Sequence, residues 1–177
     1  MPMIVVNVGE LLECDERDEI ATRGCDPCVA LIVIYNHGIG DRGSQYIKRC
    51  AHFSVDIRLP EGQRRAAQRQ QLVQTALDPV LEAYFPREHI RRVGFATGGN
   101  HKGSGAEDIV NRLRAYFQNH PIVEWSNRDG LRTANDLILG LNNQHWPFTH
   151  EPPHNSCAEL KARDQPLDEK SSQKEKS

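Results

Sequence analysis

The chain has 177 residues, with 22 Lys and Arg against 24 Asp and Glu and a formal charge of −2, enough for one domain with a sizeable core. No run is apolar for long enough to span a bilayer, and the N-terminus lacks a basic-then-apolar signal. The cysteines, Cys14, Cys25, Cys28, Cys50 and Cys157, are odd in number, which argues against a secreted disulfide framework. The expectation is a soluble, cytoplasmic protein with no membrane association. The charge is unevenly spread: residues 1–41 hold eight acidic and two basic groups, and residues 42–132 hold nine acidic and fifteen basic ones. A positive central segment suits phosphates, on a small ligand or along a nucleic acid, and equally describes a solvated surface.

In chain order, "MIVVNV" reads as a short buried strand, followed by the acidic, non-periodic "GELLECDERDEIATRGCDP". "CVALIVIY" is continuously apolar and β-branched, as in a strand covered on both faces, and ends at the turn Asn36-His37-Gly38-Ile39-Gly40. "HFSVDIRLP" is the next strand. "EGQRRAAQRQQLVQTALDPVLEAYF" is a helix with Leu72, Thr75, Ala76 and Leu81 on its buried side and a break or kink at Asp78-Pro79. "IRRVGFAT" is a strand, and "SGAEDIVNRLRAYFQNH" a helix burying Ile109, Leu113, Tyr116 and Phe117. "PIVEW" is a further strand, and "TANDLILGL" a last helix. The alternation predicts a single α/β domain, three-layer-like, with a mostly parallel sheet flanked by helices. Such sheets bind ligands beyond the carboxyl ends of their strands. Turns 36–40, 97–104 and 126–130 each follow a strand, so parallel strands would open all three on one edge.

The loop Thr97-Gly98-Gly99-Asn100-His101-Lys102 stands between a strand and a helix. Its glycines let backbone N–H groups face outward, the helix start adds amides and a positive dipole end, and His101 and Lys102 supply donors. It is an anion cradle or an ordinary turn capped by Ser104. The His-Lys pair favours the cradle. It is not a Walker A loop, because Ser104 stands where the lysine belongs. Ala96 offers no nucleophile, so no catalytic residue is assigned and His101 reads as a binding histidine. Asp56 and Arg58 flank a strand end, where Arg58 forks onto a phosphate or pairs with an acid. Arg128 and Asp129 complete the site or fix a turn. Arg64, Arg65 and Arg69, among glutamines, track a nucleic-acid backbone or form a solvated helix face.

Cys25 and Cys28 form a single C-x-x-C and read as core or loop cysteines. His145, His150, His154 and Cys157 have loose ligand-like spacing among prolines and asparagines, which reads as coincidence, so no metal is assigned. Trp125 packs in the sheet and Trp146 pins the last helix end.

"GFATGGNHKGSGAEDIVNRL" with "VEWSNRD", "FSVDIRLP" and "IVIYNHGIG" resembles, in the same order, the C-terminal domain of the RapZ family of RNase adapter proteins. The resemblance covers roughly residues 29–130. It implies a regulatory α/β module that binds a phosphorylated small molecule, an amino-sugar phosphate such as glucosamine-6-phosphate, and contacts small RNA. By it, Thr97, Gly98, Gly99, Asn100, His101 and Lys102 hold the phosphate, Asp56 and Arg58 flank it, Arg128 and Asp129 complete the pocket, and Asn36 and His37 match more loosely. The sequence departs from the family at Ala96 (Cys), Lys102 (Arg), Gly103 (Ser) and Asn127 (His). Lysine keeps the charge and loses the bidentate fork.

The expected organisation is an acidic N-terminal extension with a short strand (1–28), a RapZ C-terminal-like domain (29–150) and a flexible polar tail (151–177). The functional expectation is a sensor of an amino-sugar phosphate or nucleotide, acting as an RNA-binding adapter, with RNA or protein partners, no cofactor, and homo-oligomers open. Two alternatives stand beside it. One is a phosphosugar- or nucleotide-processing enzyme using His101 and Asp129, and the other is a nucleic-acid-binding regulator using Arg64, Arg65 and Arg69.

Overall fold

A computed structural model of the protein describes residues 3–25, 28–36, 45–54, 66–98, 105–141 and 158–159. In chain order these form β1 (Met3–Val6), β2 (Leu11–Asp15), β3 (Glu19–Arg23), β4 (Val29–Asn36), β5 (Tyr46–Phe53), α1 (Ala66–Tyr84), β6 (Ile90–Thr97), α2 (Gly105–Tyr116), β7 (Ile122–Trp125), β8 (Gly130–Ala134), β9 (Leu137–Gly140) and β10 (Ala158–Glu159). One sheet runs β10-β2-β5-β4-β6-β7 and the other β1-β3-β8-β9.

Strand β4 explains the layering. Side chains alternate across a strand, so Val29, Leu31, Val33 and Tyr35 face one way and Ala30, Ile32 and Ile34 the other; all seven are fully buried. The first set packs with Val73, Leu77, Leu81 and Phe85 of α1 and its end, and with Ile109, Leu113, Tyr116 and Phe117 of α2 and its end. The second set packs with Val6, Ile20, Leu131 and Ile138 of the four-stranded sheet. The layers are therefore helices, a six-stranded sheet and a second sheet. The strand covered on both faces is as read from its apolar run.

The mostly parallel sheet flanked by helices is not what forms. β4 is antiparallel to both β5 and β6, β2 is antiparallel to β5, and in the larger sheet only β6 and β7 pair in parallel. The reason is chain length. Nine residues separate Asn36 from Tyr46, enough for a hairpin connection but short of the dozen or more needed for a crossover between parallel neighbours.

Three elements differ from their sequence reading. The acidic segment after β1 is two strands, β2 and β3, one in each sheet. The corner between them is closed by Asp15, whose carboxylate accepts from the Arg17 backbone N–H (2.8 Å), Nε (2.9 Å) and Nη2 (2.7 Å). Buried Lys48 then pins the corner, donating to the Asp18 carbonyl at 2.6 Å and pairing with Glu19 at 3.5 Å. The expected last helix is the hairpin β8–β9, with Asn135 at φ 53°, a left-handed position that asparagine tolerates. Its turn is held by Glu19, which accepts from the Asn135 backbone N–H (2.8 Å) and the Thr133 hydroxyl (2.7 Å). On α1, Leu72 and Thr75 point to solvent, and the buried stripe is Val73, Leu77 and Leu81. Pro79 sits inside this helix, which continues to Tyr84.

Where the two sheets meet, rows of large and small side chains interlock. In the larger sheet His52, Ala30, Ala96 and Trp125 lie in register across β5, β4, β6 and β7. Facing them, Thr22, Leu131 and Gly140 lie in register across β3, β8 and β9. Thr22 meets His52 at 2.6 Å, and Gly140 lies so close to Trp125 that a Cβ there would stand 2.7 Å from its ring. Trp125 thus packs between the two sheets.

Candidate functional site

β5 and β6 both run opposite to β4, and β7 runs with β6. Their carboxyl ends therefore lie on one edge: Phe53 and Thr97 both pair with Val29, and the next rung of β6, Ala96, pairs with Trp125. Both helices turn their N-termini to this edge. Their other ends lie at the far end of the sheet, where the Arg49 Nη1 donates to Tyr84 O (2.5 Å), the Tyr35 hydroxyl to Pro86 O (2.8 Å) and the Tyr116 hydroxyl to Phe85 O (2.8 Å). With 19 residues, α1 spans about 28 Å, the depth of the sheet. Within 46–125 the chain thus follows a strand–helix–strand–helix–strand path with three parallel strands, and β4 is inserted in reverse.

This places the predicted site residues as follows. Thr97 and Gly98 are at the edge. Thr97 is half-buried, and its hydroxyl oxygen is buried without a hydrogen-bond partner. Arg128 and Asp129 are also there, in a turn closed by the Gly130 N–H donating to Asn127 Oδ1 (2.8 Å). Their carbonyls accept from the N–H groups of Cys25 (3.0 Å) and Gly24 (2.9 Å), which ties this turn to the segment entering β4. Asn36 is not at this edge. It ends the antiparallel β4 opposite Tyr46, roughly 23 Å along the strand from Val29. Asp56, Arg58, Gly99, Asn100, His101, Lys102, His37, Arg64 and Arg65 lie outside the described residues, as do His145, Trp146, His150, His154 and Cys157. In sequence, Asp56 and Arg58 are two and four residues past Ser54, and His101 and Lys102 three and four past Gly98.

Electrostatics at the edge are mixed. The first turn of α2 carries Glu107 and Asp108, which already favour the positive end of its dipole. Asp108 is buried and paired with Arg69 in the first turn of α1. Arg69 is thereby engaged within the fold, which leaves the arginine-helix reading with two of its three residues outside the described part. Cys25 is buried, and burial followed by the neighbouring Cys28 pushes its thiol up to about 12; it is a core cysteine.

No family model matches this chain, and no curated protein sequence does. The resemblance in motif order therefore stands on the residues alone.

Sequence reading passed over the buried polar groups, Lys48 and His52 among them. The missed signal is the alternation Tyr46, Lys48, Cys50, His52, which sets all four on one face of β5, a strand that begins and ends earlier than "HFSVDIRLP" suggested. Among the described residues no helix is long and apolar enough to cross a membrane.

Proposed function

We propose that the chain is a regulatory binding domain that senses a phosphorylated small molecule at the edge where β5, β6 and β7 end. The observation that carries this reading is the convergence there of three parallel strand ends and two helix N-termini, the arrangement that collects anions in α/β sheets. Thr97 and Gly98 open the loop that continues to His101 and Lys102, and the Arg128–Asp129 turn forms a neighbouring wall. The likeness to RapZ-type domains favours an amino-sugar phosphate over a nucleotide.

Thermal-shift titrations with inorganic phosphate, glucosamine-6-phosphate and adenine nucleotides test it. One of these should stabilise the protein saturably, by about 2.7 kcal/mol at a hundred times its Kd. Lys102→Ala should weaken the response at least tenfold, while Asn36→Ala, at the far end of β4, leaves it unchanged. Absence of any saturable response rejects the reading. Turnover of the bound compound, lost in His101→Ala, would instead favour the enzyme, and salt-sensitive RNA retention lost with Arg64 and Arg65 the nucleic-acid regulator.

A further inference from the structure

The larger sheet ends in an unequal pairing. β2 meets β5 on its inner side over five rungs, Leu11↔Ala51 to Asp15↔Ile47. On its outer side it meets β10 over two, Ala158↔Glu13 and Glu159↔Leu12. β10 runs antiparallel to β2 and is the outermost strand at this end of the sheet.

The ladder fixes which backbone groups β2 turns outward. The His52 N–H donates to the Glu10 carbonyl (3.3 Å), so residue 10 presents its backbone to β5. Backbone groups alternate along a strand, so Leu12 and Cys14 also face β5, and Leu11, Glu13 and Asp15 face away from it. The rung Ala158↔Glu13 is therefore the one at which β10 and β2 exchange hydrogen bonds, and at Glu159↔Leu12 they do not.

The strand in this seat is a poor one. Alanine and glutamate are both depleted in strands, and one hydrogen-bonded rung is little to hold them. Sixteen residues separate Leu141 from Ala158, so seating β10 closes a long connection at an entropic cost. The seat itself is firm. Leu11 packs with the helices, Leu12 and Cys14 with the second sheet, and Glu13 is held by the Arg49 Nε (2.6 Å). A fixed sheet edge is a template for another strand.

We propose that the outer edge of β2 is a strand-addition site for an extended segment of a partner protein, and that β10 is its displaceable internal occupant. Residues opposite one another share a face of the sheet. Positions opposite Leu12 and Cys14 thus lie on the side of the second sheet and favour apolar, β-branched residues, whereas β10 sets Glu159 opposite Leu12. The position opposite Glu13 lies beside the half-buried Glu13–Arg49 pair and suits a small or polar residue. The partner is therefore a strand of alternating apolar and polar residues, held by its main chain and selected by that alternation.

The test uses a labelled peptide of alternating valine and threonine with a lysine at each end, and its counterpart with a central proline, read by fluorescence anisotropy on the full chain. Ala158→Pro removes the N–H that β10 gives to Glu13 and so vacates the seat. This variant should bind the alternating peptide at least tenfold more tightly than wild type, and neither protein should bind the proline peptide. In hydrogen exchange on wild type, the Glu13 amide should exchange faster than those of Leu12 and Cys14, and added peptide should slow it. Equal affinity in wild type and Ala158→Pro, or a Glu13 amide as slow as its neighbours, overturns β10 as a displaceable occupant. No binding of the peptide by Ala158→Pro overturns the site. A dimer of Ala158→Pro in light scattering that excludes the peptide gives the seat to a second copy and overturns the partner.

Discussion

Gly130→Ala should cost more than about 3 kcal/mol of stability, read from urea unfolding, and Gly24→Ala only about 1 to 2. Both glycines have positive φ, +127° and +77°. At Gly24 a Cβ would meet nothing within 4 Å, so the cost is that of the left-handed backbone alone. At Gly130 a Cβ would stand 2.0 Å from the Thr22 carbonyl oxygen and 2.8 Å from the Arg23 Cα. These are backbone atoms of the paired strand, which no rotamer change can move aside. Relief requires separating β3 from β8 at the rungs Thr22↔Leu131 and Arg23↔Gly130. Leu131 and Thr22 also make the contact between sheets, so the damage spreads into the core. Equal costs for the two substitutions would refute this account. The same variant should disturb the Arg128–Asp129 turn, because Gly130 closes it.

The fold was readable wherever one physical requirement dominated the local sequence. β4 has to be apolar on both faces because helices cover one and a sheet the other, and its unbroken run says so. α2 has a helix-spaced stripe, Ile109, Leu113, Tyr116 and Phe117, that matches what is buried. Where two requirements compete the reading failed. β2 and β3 carry acidic residues because their corner uses the Asp15 carboxylate as a structural group and Glu19 as the partner of Lys48 and the β8–β9 turn. Locally that mixture looks like a solvated extension. "TANDLILGL" is too short for period to separate a helix from a hairpin, and the Asn-Asp pair at the turn was the better signal.

For the site, convergence was inferred from a wrong premise and survives in part for a different reason. An all-parallel sheet would bring turns 36–40, 97–104 and 126–130 together. In the actual sheet the inserted antiparallel β4 sends Asn36 away, while β5, β6 and β7 keep a common direction. The end of β5 at Phe53 stands at the edge in its place, and Asp56 and Arg58 follow it in sequence only. The short link between Asn36 and Tyr46 carried that information. The pairing of Arg69 with Asp108 lay 39 residues apart and depended on how two helices pack, which no local pattern encodes.

The second large effect is a loss of stability in mild acid that His52→Leu should abolish. His52 is fully buried between the sheets. The Thr22 hydroxyl donates to the Val6 carbonyl (2.8 Å), so at 2.6 Å from His52 Nδ1 it accepts, and Nδ1 carries the ring proton. Nε2 is then a buried lone pair with no partner. Protonating it would put a charge and an unpaired donor into an apolar layer, and burial lowers the histidine from 6.5 to about 4. In the unfolded chain it binds a proton below about 6.5. Between those two values the unfolded state holds more protons, so stability is fully present above about pH 6.5 and falls as pH drops toward 4. The loss amounts to about 3 kcal/mol at most. Carboxylates add their own acid dependence to both proteins, so the informative quantity is the difference between wild type and His52→Leu at each pH. In urea unfolding the two should differ by about 1 kcal/mol or less at pH 7. From pH 6.5 to 4 the variant should gain on wild type by about 3 kcal/mol. A constant difference across that range would show that His52 takes up a proton as easily folded as unfolded, and that the layer around Nε2 is not dry.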